Sequence, residues 1–307
     1  MLALMSDFEL IAEGLEFPEG PIAMPDGSII LVEIKRQTLT RVWNGRSEVI
    51  AHLGGGPNGA ALGPDGAVYV CNNGGFAWHD MGGLTIPGHA AKDYTTGRIE
   101  RVDLTTGKFE RIYDKIGDHN LSGPNDIVFD KAGNFWFTDL GKNYARTSDR
   151  GGLYYAKPDG SSLREAAYGY TGLNGIGLSP DEKVVYAAET ETGKLWAFDI
   201  TGEGEVAAGA LGLSGRVVAV QTSHVFFDSL AVQANGDVCV ATIGNGGITT
   251  ITPAGVSTHT PFPDLIVTNI CFGGKDQRDA YITLSSTGKL IKSRWPEAGL
   301  KLNFATY

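Results

Sequence analysis

The chain has 307 residues, and 43 of them are glycine, about twice the ordinary ~7% share. With 42% hydrophobic and 20% charged residues and 13 prolines, it is neither collagen-like nor disordered, and surplus glycine with modest charge points to a turn-rich all-β protein. A net charge of −10 argues against nucleic acid and anionic membranes as partners, and no stretch approaches the ~18 apolar residues of a membrane span.

In chain order, the first five residues are apolar but lack the basic start and cleavage site of a signal peptide, so the cytoplasm is the expected location. One pattern then recurs: a polar residue, a short apolar run, a turn and a β-rich run. Its copies span residues 19–33, 58–72, 125–139, 174–189, 228–242 and, more loosely, 269–283. In four copies a turn glycine stands eight residues after the leading residue: Gly27, Gly66, Gly133 and Gly236; in the fourth copy Glu182 takes that place. Asp-Gly or Asn-Gly between β-rich runs signals a hairpin, because the turn needs residues that tolerate φ > 0. A further β segment follows each copy, at 39–43, 97–103, 152–156, 194–199, 247–252 and 288–294. Each unit therefore reads as two or three inner strands plus an outer one. No apolar series at i, i+3, i+4, i+7 predicts a long helix. Six such units predict one all-β domain over 1–307, a six-bladed β-propeller.

The longest interval separates the second and third copies. Its surplus is residues 73–96, with Phe76, Trp78, His79, His89 and Tyr94. A loop of this length is expected to cover a site, which makes Phe76 and Trp78 candidate substrate contacts. Cys71, Cys239 and Cys271 lie in apolar runs with no CxxC spacing; they predict buried, inert thiols rather than disulfides or a zinc knuckle.

In a propeller, equivalent positions converge on the axis. The leading residues Glu19, Asn58, Asn125, Asn174, Asp228 and Asn269 would form one ring, and each offers an oxygen. Such a set suits a hard divalent cation, Ca²⁺ first, with Mg²⁺, Mn²⁺, Zn²⁺ or Fe²⁺ as alternatives. His224, just ahead of the fifth copy, is a further candidate substrate contact at the channel. The sequence has no GxSxG elbow, Walker A loop or HExxH.

The motifs at 17–21 (Phe-Pro-Glu-Gly-Pro), 123–126 (Gly-Pro-Asn-Asp), 173–176 (Leu-Asn-Gly-Ile) and 227–230 (Phe-Asp-Ser-Leu) resemble those of the senescence-marker-protein / gluconolactonase / luciferin-regenerating-enzyme family. The resemblance covers nearly the whole chain. It implies a six-bladed propeller with one divalent metal in the central channel, held by Glu19, Asn125, Asn174 and Asp228. It also implies a metal-dependent lactonase acting on a small-molecule lactone, with Asp228 as the catalytic residue that activates water. Asn58 and Asn269 are left as channel residues facing substrate or water. Gly123 stands where the animal gluconolactonases carry an arginine that helps hold the sugar, so sugar specificity is not carried over. Two other readings are a phosphotriesterase-like hydrolase and a non-catalytic binding module with a structural metal.

Overall fold

The computed structural model describes residues 7–209, 212–221 and 224–305. Its main sheets are six antiparallel blades arranged around one axis. Blade 1 is Pro18–Ala23, Ile29–Glu33, Thr38–Trp43 and Arg46–His52. Blade 2 is Pro57–Leu62, Val68–Asn72, Arg98–Val102 and Phe109–Tyr113. Blade 3 is Pro124–Phe129, Phe135–Asp139, Gly151–Ala156 and Leu163–Tyr170. Blade 4 is Leu173–Leu178, Val184–Glu189 and Lys194–Gly202, edged by Arg216–Val220 and Glu205–Val206. Blade 5 is Phe226–Val232, Val238–Ile243, Gly247–Ile251 and Ser257–Pro261. Blade 6 is Val267–Gly273, Asp279–Leu284 and Lys289–Arg294.

The fourth strand of blade 6 comes from the other end of the chain. Glu9–Ala12 pairs with it, Glu9 opposite Lys292 and Leu10 opposite Ile291. This pairing closes the ring, and each inner strand packs on the inner strands of the blades to either side. No α-helix occurs among the described residues, so they contain no helix long and apolar enough to cross a membrane.

The hairpin turns explain the repeat. At the eighth position after each leading residue the backbone is left-handed: Gly27, Gly66, Gly133 and Gly236, but also Glu182 (φ 54) and Gln277 (φ 57). The looser sixth copy thus keeps the turn without its glycine, at a strain that glycine would avoid. Apolar cores fill the spaces between blades. Tyr69, Phe129, Phe135, Phe137 and Tyr154 pack between blades 2 and 3, and Trp136, Trp196 and Phe198 between blades 3 and 4. Cys71 and Cys239 are buried, Cys271 is half-buried, and burial pushes all three thiols up, as expected of inert cysteines.

Each blade has at least four strands, three inner ones plus an outer one, and one expectation is corrected. The outermost strands are largely exposed, as in Arg46–His52, so no apolar alternation marked them. The surplus at 73–96 is not plain loop: Phe76–Asp80 pairs with Thr85–Ala90 in a hairpin of its own.

Candidate functional site

The axial residues owe their aim to irregularities in the strands. In blades 2 to 5 the leading residue and its successor together face a single residue of the second strand. Asn58-Gly59 lies opposite Cys71, Asn125-Asp126 opposite Thr138, Asn174-Gly175 opposite Ala188 and Asp228-Ser229 opposite Ala241. Such a β-bulge re-aims a side chain out of the regular pleat. In blade 1 the bulge lies one residue later, at Gly20-Pro21; in blade 6 it lies one residue earlier, at Thr268.

Glycine lets neighbouring bulges touch. A Cβ on Gly59 would stand 2.4 Å from the Asn125 carbonyl oxygen, and one on Gly175 would stand 2.6 Å from the Ser229 Cα. The ring is therefore drawn in until all six axial side chains are buried, none more than 8% exposed.

At the centre, the Ser229 hydroxyl lies 3.4 Å from both Glu19 Oε1 and Asn174 Oδ1. Asn269 Nδ2 donates to Glu19 Oε2 at 2.6 Å, and its Oδ1 accepts from the Ile270 amide at 2.7 Å. Asp228 is hydrogen-bonded to the Asn174 side chain and the Ser229 amide. Asp126, absent from the expected set, joins them. It accepts from the Ile127 and Ile176 amides and from Ser229.

Three buried carboxyl groups thus share one channel. Burial, opposed by hydrogen bonds, pushes Glu19 up to about 7. Burial and the Glu19 charge push Asp126 up to about 8. The same two causes hold Asp228 well above the usual carboxylate range. No ion pair to lysine or arginine relieves any of them among the described residues. Asn125 Oδ1 is buried with no hydrogen-bond partner. An orphaned amide oxygen among unneutralised carboxyls is the donor chemistry that a hard dication satisfies. No group of three or more His, Cys, Asp or Glu side chains among the described residues is arranged to hold a metal; the donors that fit one here are mixed carboxylates and carboxamides.

A second layer holds the ring. In four blades, the polar residue ending the second strand grips backbone just ahead of the axial residue. Glu33 accepts from the Glu16 amide, Asn72 from Gly56, Asp139 from Ser122 and Gly123, and Glu189 from Thr171. Asp139 also accepts from Gly141 and is pushed up to about 6 by burial.

The 73–96 insertion lies on the residues that lead into the ring. Trp78 packs on Phe17 with ring centroids 5.0 Å apart. Phe76, Trp78 and Ile86 join Phe17, Ile34, Ile243 and Ile266 in one apolar cluster. The Thr85 amide donates to Ser286, the Ala90 amide to Asn143, and the Tyr94 hydroxyl to the Ser122 carbonyl. The insertion therefore touches blades 1, 3, 5 and 6 and forms a lid. On the opposite side the C-terminal segment crosses the channel. Asn303 Nδ2 reaches the Phe129 carbonyl and Glu182. A cavity of about 160 Å³ lies between this segment and Gly20, Asp126 and Asn269.

Of the expected residues, Glu19, Asn58, Asn125, Asn174, Asp228 and Asn269 hold equivalent positions at the axis. Phe76 and Trp78 lie in the lid's apolar cluster. His224 is exposed with a left-handed backbone (φ 66). Asp126 and Ser229 were missed as site residues. Their signal was their place: each occupies the position after an axial residue, where three other blades carry glycine or, in blade 6, isoleucine.

A family model described as SMP-30/Gluconolactonase/LRE-like region matches residues 17–286. Lactonase drp35 of Staphylococcus epidermidis is 29% identical over 248 residues, covering 80% of this chain and 67% of its own. The gluconolactonase of Zymomonas mobilis subsp. mobilis is 24% identical over 327 aligned positions, covering 96% of this chain and 83% of its own. A solved structure of a calcium-binding protein, regucalcin, from Agrobacterium tumefaciens has a TM-score of 0.75 at 18% identity and covers 99% of both chains. At that identity the likeness concerns the fold.

Proposed function

The chain belongs to the SMP-30/gluconolactonase/LRE-like family, and from that premise we propose that it is a metal-dependent lactonase. The substrate class follows from relatives named lactonase and gluconolactonase. The metal rests on one observation: the unpartnered Asn125 oxygen stands among buried carboxyl groups with which no lysine or arginine pairs among the described residues. Glu19, Asn125, Asn174 and Asp228 are the ligands of this reading. All-oxygen donors favour Ca²⁺.

When bound, the cation supplies Lewis-acid polarisation of the lactone carbonyl and lowers the pKa of water. The protein does the rest. Asp228 orients the attacking water and takes its proton as the oxygen adds to the carbonyl carbon. It returns that proton to the alkoxide that leaves when the ring opens. The carboxamides of Asn125 and Asn174 add no negative charge, so the site stays electrophilic. Asn269 holds Glu19 in place through its amide, and Asn58 faces substrate or ordered water. The lid excludes bulk water, and through Phe76 and Trp78 it shapes the substrate's surroundings.

The test is turnover of a lactone panel by Asp228→Asn with Ca²⁺ saturating. A fall in kcat of about 10²- to 10⁴-fold is expected. Turnover near that of the unsubstituted protein would refute the role of Asp228, and turnover indifferent to a chelator would refute the metal.

A further inference from the structure

Lys142 has no part in this chemistry, yet it is 2% exposed, and among the described residues no other lysine or arginine is buried. It follows the second strand of blade 3 by three residues. Its partners all belong to the lid insertion. Nζ donates to the Asn73 carbonyl at 2.7 Å and to Asn73 Oδ1 at 3.2 Å. It stands 4.2 Å from the centre of the Phe76 ring and 4.9 Å from that of Tyr94. The Asn73 amide is turned so that its oxygen meets the lysine and its nitrogen is left without an acceptor.

This contact falls at the base of the lid. Gly74 (φ 79) and Gly75 (φ 105) follow Asn73 directly, with backbones that L side chains rarely adopt. A hairpin rising from two such residues needs something to fix its angle. Tyr94, at the other end of the insertion, is tied to the Ser122 carbonyl three residues ahead of Asn125. One amine thus joins both ends of the lid to blade 3. No carboxylate pairs with it among the described residues. Burial pushes it down to about 7, with the Asp139 charge opposing. An apolar side chain would fill the same space without that desolvation, so the use of a lysine lies in what it holds.

We propose that Lys142 is the latch of the lid: its amine holds the 73–96 insertion closed over the axial carboxyl groups and so sets the affinity for substrate. The effect on substrate rests on the lactonase reading; the latch itself does not.

The experiment compares the Ca²⁺-loaded protein with Lys142→Met and Lys142→Arg. It uses amide hydrogen exchange across residues 76–90 and lactone kinetics. In the methionine variant the buried Asn73 carbonyl loses its donor, which predicts about tenfold faster hairpin exchange and about tenfold higher KM. Exchange in the blades and kcat should stay within about twofold. The arginine variant keeps a cation that stacks on aromatic rings and should restore most of the protection. Hairpin exchange unchanged in Lys142→Met would overturn the latch, as would a uniform rise across all blades. Should the methionine variant not fold, Lys142→Gln gives the same two readouts. If no lactone is turned over by the unsubstituted protein, the exchange data alone decide the latch and the lactonase reading fails separately.

Discussion

Replacing Glu19 with glutamine should stabilise the metal-free protein and weaken its response to metal. Glu19 is fully buried, and burial lifts its carboxyl from 4.5 to about 7. The folded state therefore binds the proton more tightly than the unfolded chain. Metal-free stability must fall as pH rises from about 4.5 to 7, and the loss is complete above 7. A displacement of about 2.5 pH units at ~1.36 kcal/mol each makes the ionised carboxylate cost about 3 kcal/mol. Glutamine keeps the shape and still accepts from Asn269 Nδ2, but it carries no charge.

At pH 8 in a chelator the variant should gain up to about 3 kcal/mol, about 5 °C in Tm for a chain of this length. At pH 5 the gain should shrink below about 1 kcal/mol. Calcium should reverse the order. The unsubstituted protein gains about 4.1 kcal/mol when Ca²⁺ is at about 1,000 times its Kd, more than the variant's lead in chelator, whereas the variant lacks one of the proposed ligand carboxylates. The assay is thermal unfolding followed by circular dichroism, in chelator and in Ca²⁺, at both pH values. A variant less stable than its parent in chelator at pH 8, or equal stabilisation of both by Ca²⁺, would refute the reasoning.

Gly59→Ala tests the close approach of the blades. Its Cβ would meet backbone atoms of Asn125 and Asp126 at 2.4 and 2.5 Å. Separating two strands costs about 1–3 kcal/mol, only partly offset by the ~0.4–1 kcal/mol that alanine takes from the unfolded chain. Titration calorimetry should show weaker Ca²⁺ binding, while Gly66→Ala, with open space around its Cβ, should lose about 1–2 kcal/mol through its left-handed backbone and bind Ca²⁺ normally. Asp139→Asn tests the second layer: it removes an acceptor from the backbone that leads to Asn125, so urea unfolding should show a loss of about 1–3 kcal/mol. An unchanged midpoint would mean that the Asp139 carboxylate does not hold this backbone.

The blades were legible because a hairpin turn leaves a mark in sequence. Five of the six left-handed turn positions stand beside readable turn chemistry, and Gln277 shows why the sixth copy looked loose. The axial ring was legible for a related reason: a polar residue opening an apolar strand needs a partner, and six of them in register suggest a common one. The lid hairpin was not legible. Phe76–Asp80 and Thr85–Ala90 are half-buried and packed on residues from four other blades, so no local alternation reveals them. Asp126 escaped because it follows an axial residue instead of leading a strand, and nothing local says which of two adjacent polar groups a bulge will turn inward. The clustered glycines of the insertion do find places. Gly74, Gly75, Gly82 and Gly83 all have positive φ, and a Cβ on Gly88 would meet the His79 ring at 2.6 Å.

The position of the bulge differs around the ring. In blades 2 to 5 the axial residue, a short Asn or Asp, lies within the bulge. In blade 1 the bulge is displaced by one residue toward the far end of the strand, so the axial residue remains in the regular ladder. The residue there is Glu19, one methylene longer than aspartate. In blade 6 the displacement is in the other direction, and Asn269 sits in the ladder opposite Thr283. Its oxygen is taken by the Ile270 amide and its nitrogen by Glu19. The position that would otherwise offer a sixth oxygen instead supports the Glu19 carboxyl. The bulge thus shifts by one residue in opposite directions on the two sides of the closing seam, and Glu19 and Asn269, the two axial residues left in the ladder, are joined by a hydrogen bond across it.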